Sequence, residues 1–246
     1  MGSPLGVRMP RRGTAKRQYQ SGNDQYTYLL LHGDSANDKS VMGGAGAGYA
    51  FTNSNVTFAS AGYPVGPKAL SFNGTNACLQ GTIAVQDYYM GGNDYTVEGY
   101  FNASNISNEQ CLLGASSSSA VYDGWTVGIG LTSSGSFGLH HYINGGGNSV
   151  NAETSTGGIV AGTTYHFACC RDGSTIRTYL NGIQVASASC SSAMNQASMA
   201  SLCIGSGYGG YYFGGWMQEL RISVGKCRYP NGTTFAVPGL FGPDAR

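Results

Sequence analysis

The stretch TYHFACCRDGSTIRTYLNGIQVASAS, residues 164 to 189, restricts the possible folds more than any other part of the chain. Asn181-Gly182 supplies the two positive φ angles of a type I′ turn, and apolar residues alternate on both sides of it, which specifies an antiparallel hairpin. Ile176, Thr178 and Leu180 share one face before the turn, and Ile183 and Val185 share one after it. In TYHFACC, alternation puts Tyr165, Phe167 and Cys169 on one face and His166, Ala168 and Cys170 on the other. Both faces are fairly apolar, as a central strand requires.

Runs of the same kind recur as TYLLLHGD (27 to 34), ALSFNGTNACLQG (69 to 81), YTVEGYFNAS (95 to 104), CLLGAS (111 to 116), WTVGIGLT (125 to 132), FGLHHYING (137 to 145), SLCIGSG (201 to 207) and YYFGGWMQELRISVG (211 to 225), with a glycine-rich loop at MGGAGAG (42 to 48). Turn residues separate most of them. Such a series predicts an all-β fold, an antiparallel sandwich or jelly roll in one domain. With 10% charged residues and 40 glycines, little material is left for amphipathic helices.

Gly205, Gly207 and Gly210 form a G-x-G-x-x-G, the spacing that cradles a dinucleotide phosphate. That chemistry needs a helix whose N-terminus meets the pyrophosphate. A β-type run follows instead, so the glycines are expected to turn the chain between the last two strands.

The first 20 residues contain Arg8, Arg11, Arg12, Lys16 and Arg17 and no acid, whereas the rest of the chain has an excess of four acidic residues. Gly and Pro interrupt this arm throughout, so residues 1 to 25 are expected to be extended and to gain order only by lying on a docking surface. With Tyr19 as its one aromatic, it would bind nucleic acid only nonspecifically. No apolar stretch approaches the roughly 18 residues of a membrane helix, and the arginines precede no signal-peptide core, which predicts a soluble chain not exported by the usual route. The seven cysteines follow no zinc spacing, and Cys169 and Cys170 are adjacent, so free thiols are expected. Sequons at Asn55, Asn73, Asn102, Asn105 and Asn231 would then stay unmodified.

Taken in order, YTYLLLHGD, ALSFNGT, YTVEGYF, TYHFACCRDGSTIRTYLNG and YYFGGWMQELRIS followed by VGKCRY resemble the laminin-G-like jelly rolls of the concanavalin A-like lectin/glucanase superfamily, particularly those of bacteriophage structural proteins. The resemblance covers roughly residues 26 to 230, leaving 231 to 246 as a tail. Where the family usually has Val-Val before an arginine, this chain has Cys169-Cys170, which suits cysteine as a small core residue. Gly99 replaces a usual aromatic and marks a bulge or a close backbone approach.

The resemblance implies a non-enzymatic virion structural protein of a tailed bacteriophage, foremost a capsid decoration (cement) protein. The basic arm, through Arg8, Arg11, Arg12, Lys16 and Arg17, would bridge the major capsid protein or other virion subunits. Assembly in the bacterial cytoplasm, a place on the capsid surface and a homotrimer would follow. The alternative is a lectin-type carbohydrate-binding module, with Tyr208 and Tyr211 as the candidate sugar-stacking residues. A glycoside hydrolase or polysaccharide lyase is the third class. It is disfavoured because no two acids are two apart, the spacing by which one strand pairs carboxylates. Glu98 and Glu219 occupy recurring family positions that tether loops or arginines such as Arg221, and Tyr212 and Trp216 belong to core or sheet surface. His140 and His141 point to opposite faces and cannot share a metal; His166 is expected as a hydrogen-bonded structural imidazole, and His32 ends the first strand. No cofactor is expected. Calcium is compatible with the family, but Asp24, Asp34, Asp38, Asp94 and Asp123 form no recognisable binding loop.

Overall fold

The computed structural model describes residues 20–60, 64–82, 87, 90–116, 124–133, 135–144, 149–154, 158–191, 193, 201–207, 210–232 and 234–244. The arm residues Arg8 to Arg17, together with Tyr208 and Asp123, lie outside them. Two antiparallel sheets pack face to face. One has seven strands in the order β11 (Ser149–Glu153), β10 (Phe137–Asn144), β9 (Trp125–Leu131), β8 (Gln110–Ser116), β15 (Ser201–Ile204), β6 (Cys78–Thr82) and β3 (Phe51–Ser54). The other has eight: β14 (Ile183–Ser189), β13 (Thr175–Leu180), β12 (Thr164–Asp172), β7 (Tyr95–Ala103), β16 (Gly214–Val224), β5 (Lys68–Asn73) and β4 (Thr57–Ser60), with β2 (Thr27–Leu31) also pairing with β16. The expected antiparallel sandwich is the fold.

Alternation decides what each strand buries. Phe167 and Cys169 enter the core between the sheets, while Ala168 and Cys170 form a second small cluster with Tyr179 on the outer face of the eight-stranded sheet. The adjacent cysteines are therefore core residues of two different clusters, and all seven cysteines are free thiols. The hairpin turns at Asn181 (φ 50°) and Gly182 (φ 78°), both positive as a type I′ turn demands. Ile183 ends on the surface, 57% exposed, because β14 is an edge strand.

Within the two large sheets, three strands were not legible in the sequence, β3, β4 and β11. Each lies at a sheet edge, where a strand has one partner and needs little apolar content. The segment FTNSNVTF carries the chain from the edge of one sheet to the edge of the other, with Asn55 at φ 56° between β3 and β4.

Gly99 is a close approach, and the bulge lies opposite it. The register between β16 and β7 shifts between Gln218 and Arg221. Leu220 Cδ2 would sit 2.6 Å from a Cβ at residue 99, and Glu219 O 3.2 Å from it. A side chain there would displace the bulge.

Beyond β16 the chain runs back over the outer face of the eight-stranded sheet. Tyr229 stacks on Phe235 at 3.6 Å, and Phe235 also meets the edges of Tyr179 and His166. Tyr100 donates its hydroxyl to Pro238 O at 2.5 Å. At the end of this strap, β17 (Phe241–Gly242) pairs in parallel with β1 (Gln20–Ser21).

Beneath the strap lies a buried ion pair. Arg221 donates to Glu98 Oε1 from Nε at 2.9 Å and Nη2 at 2.5 Å, Tyr229 donates to Oε2 at 2.6 Å, and the Arg221 guanidinium stacks 3.6 Å from the Phe241 ring centroid. Burial alone would raise Glu98, but Arg221, His166 and the Tyr229 hydroxyl outweigh it and hold the carboxyl at about 2. Glu98 does tether Arg221. Glu219 tethers the strap and the first strand instead: it takes the Phe241 N–H at 2.8 Å and His32 Nδ1 at 2.6 Å, and His32 Nε2 reaches Asp244 at 2.8 Å. Burial would lower His32, yet Glu219 and Asp244 raise it to about 9. His166 departs from expectation. Its ring is buried between Tyr100 and Phe235, and neither nitrogen has a hydrogen-bond partner among the described residues, the nearest carboxylate oxygen being Glu98 Oε2 at 3.6 Å.

Candidate functional site

The G-x-G-x-x-G forms a turn, as expected. Gly207 bridges Gly210, and β16 follows with no helix to receive a phosphate. Gly205 has φ 82° and lies so close to Phe72 that a Cβ would fall 2.1 Å from Cε1. Only glycine fits the turn there.

This turn leads to the one sequence-named sugar candidate among the described residues. Tyr211, at φ 38°, accepts the Cys111 N–H at 2.8 Å through its carbonyl, and its side chain is 39% exposed. It stands at the rim of a groove on the outer face of the seven-stranded sheet, shared between two adjoining cavities of about 310 and 530 Å³. Tyr212 lines the second cavity, and Trp216 is half-buried in β16.

Strand period and register build the floor. On β9, Trp125, Val127 and Ile129 point into the core, leaving Thr126 and Gly128 outward. On β10, Leu139 and Ile143 enter the core with His141, leaving His140 and Tyr142 outward. The pairing then aligns Gly128, His140 and Glu153 in one row and Thr126, Tyr142 and Asn151 in the next. Gly128 is obligatory here, since a Cβ would stand 2.8 Å from Gln110 O. The missing side chain lets the Gln110 carbonyl approach the strand beside His140.

Hydrogen bonds fix the groove's polar groups. Glu153 Oε1 accepts from the Ser133 N–H at 2.9 Å and from the Ser133 hydroxyl. Those two bonds hold its carboxyl below the usual range. Asn151 Nδ2 lies 3.3 Å from Glu153 Oε2 and 3.4 Å from His140 Nδ1. With Nδ1 accepting from Asn151, the His140 proton sits on Nε2, which is buried and has no partner among the described residues. The rim is pinned by Gln110, which donates to Asn105 O at 2.9 Å and accepts the Gly214 N–H at 2.9 Å.

His140 and His141 do face opposite ways. His141 takes the Tyr95 hydroxyl at 2.9 Å, and burial lowers it to about 3. Among the described residues no group of three or more His, Cys, Asp or Glu is placed to hold a metal ion. The calcium candidates serve the backbone or ion pairs: Asp38 accepts the N–H groups of Leu30, Ser40 and Tyr49, Asp94 that of Gly173, and Asp24 pairs with Arg228 at 2.8 Å. Glu98 is on the other sheet and fully buried. Most of the groove was therefore not named from sequence. The signal in FGLHHYIN was the outward His140 and Tyr142, but their partners Asn151 and Glu153 lie on the unrecognised β11.

A family model of laminin-G type, described as the Concanavalin A-like lectin/glucanases superfamily, matches residues 75–226. No curated protein matches the chain. Among solved structures, the binding domain of Paraclostridial Mosquitocidal Protein 1 is similar at TM-score 0.63 and 12% identity over 83% of this chain and 50% of that one. Domain 4 of AbnA, an extracellular arabinanase from Geobacillus stearothermophilus in complex with arabinotriose, is similar at TM-score 0.58 and 17% identity, covering 81% of this chain and 92% of that one. The botulinum neurotoxin serotype C1 binding domain follows at TM-score 0.57 and 10% identity, covering 80% and 48%. The chain spans about half the length of the two toxin domains. At these identities the likeness is one of fold.

Proposed function

The chain belongs to the concanavalin A-like lectin/glucanases superfamily, and from that premise we propose that it is a non-enzymatic carbohydrate-binding domain whose site is the groove between Tyr211 and Glu153. One observation carries the reading: the exposed ring of Tyr211 stands at the rim of a glycine-floored groove whose outward side chains, Thr126, Tyr142 and Asn151, are polar. A sugar offers both halves of that match, hydroxyls for the polar floor and an apolar face for the tyrosine. Glu109 and Glu153 line the groove, and no Lys or Arg does among the described residues, so neutral oligosaccharides are the ligand class. Binding in the neighbour that holds arabinotriose supports this choice. Glu153, kept ionised by Ser133, has no proton to give a leaving group.

The test is retention on an array of neutral, sialylated and uronate-bearing oligosaccharides. Neutral glycans alone are retained, and His140→Ala removes the retention. Retention of anionic glycans only, or of none, overturns the reading.

A second role rests on charge. Five basic residues in the first 20 precede an acidic body, which supports an arm that docks on acidic neighbours; on the family resemblance, that arm would serve a decoration protein of a tailed bacteriophage, bridging capsid subunits on the capsid surface. Co-sedimentation with particles stripped of the protein, at low and high salt and with or without residues 1 to 20, tests it. Salt-sensitive binding by the full chain alone is the expected result.

A further inference from the structure

We propose that Cys170 and Cys227 form a thiol modification site: a small-molecule disulfide oxidises the pair, and the bond formed latches the C-terminal strap onto the eight-stranded sheet. Cys170 is on the outward face of β12, opposite Thr96 of β7. The Thr96 hydroxyl holds both neighbours of Cys227. It accepts the Arg228 N–H at 2.9 Å, lies 3.2 Å from Lys226 O, and lies 3.6 Å from Cys170 Sγ. Cys227 is thereby seated on the cluster of Ala168, Cys170 and Tyr179. Cys227 thus stands beside Cys170, with the Thr96 hydroxyl touching both the Cys170 sulfur and the backbone on either side of Cys227.

The pair is asymmetric. Cys170 is fully buried, whereas Cys227 is partly exposed. The neighbouring Cys170 thiol lowers Cys227 from the usual thiol value, and burial raises Cys170. Cys227 is therefore the nucleophile that an external reagent meets. Burial likewise raises Cys111 and Cys169.

The chemistry balances with one equivalent of a low-molecular-weight disulfide. The Cys227 thiolate attacks one of its sulfurs, forming a mixed disulfide and releasing one small thiolate. Cys170 then attacks the Cys227 sulfur, and its proton leaves with the departing thiolate as the second small thiol. Two protein thiols are oxidised as one small disulfide is reduced. The bond ties β12 to the strap across 56 intervening residues, and acts chiefly by restricting the unfolded chain.

Oxidised glutathione is the probe, applied to the full chain. Thiol titration in denaturant should fall from the seven of the reduced protein by two, and a non-reducing digest should join the peptides of Cys170 and Cys227. The melting temperature should rise by about 5 °C and return on reduction. Cys227→Ser, at a partly exposed position, should fold and lose no thiol to the probe. Cys170→Ser should stop at a glutathione adduct on Cys227. Seven persisting thiols, a link joining Cys78 to Cys203, or a full chain that stops at the adduct would each overturn the proposal.

Discussion

Single residues decide two outcomes. Tyr211 holds its aromatic ring at the groove rim on a positive φ, and its backbone is tied to β8 independently of the ring. Tyr211→Ala should therefore leave the melting temperature within a degree or two while weakening glycan binding about tenfold, the loss of one stacking contact. Glu98 is the opposite case, for it meets no ligand and answers Arg221 inside the protein. Glu98→Ala leaves a guanidinium buried and unpaired, and should cost about 3–5 kcal/mol in denaturant unfolding. Adding Arg221→Met should recover much of that loss. A double variant as unstable as the single one would show that the pair is not what Glu98 stabilises.

At the scale of elements, β16 and the strap act together. The bulge at Glu219 and Leu220 turns the Glu219 carboxylate toward His32 and the Phe241 N–H, so an irregularity in one strand holds the chain terminus. Phe235 is the strap's apolar anchor, stacked on Tyr229 and edge-on to Tyr179. Phe235→Ala should lower stability by about 2 kcal/mol and raise amide exchange in residues 226 to 244 before exchange rises in β7 or β12. Uniform exchange across all of these would show that the strap unfolds only with the sandwich. The same elements show what was legible beforehand. Gly99 announced a close approach, but whether β7 or β16 carried the bulge depended on the pairing of strands more than a hundred residues apart.

At the scale of the molecule, five groups set the pH response. Glu98 falls from 4.5 and Asp24 from 3.8, both to about 2, so their stabilisation is present above the unfolded values and is lost as pH drops toward 2. His141, lowered from 6.5 to about 3, is buried neutral, and stability declines as the unfolded chain takes up that proton below 6.5. Glu219, raised by burial, opposes the acid loss just above its ordinary value. His32, raised from 6.5 to about 9, contributes fully below 6.5 and is lost as pH rises through 9. Melting temperature should therefore peak at about pH 6.5 and fall on both sides. His32→Gln should flatten the alkaline limb between pH 6.5 and 9, and an unchanged limb would remove His32 as its cause.

Sequence alone determined the sandwich, the type I′ hairpin, the two faces of TYHFACC and the glycine turn before the last strand, because each follows from a local period or a backbone angle that few residues adopt. It also singled out Tyr211. Tertiary structure alone decided the groove, since Gly128, His140 and Glu153 meet only through the register of three strands, one of them a polar edge strand without a readable period. It alone seated Cys227 over Cys170 and Tyr229 over Glu98, because the strap's position depends on which sheet face lacked a cover and carries no trace in the strap's own composition.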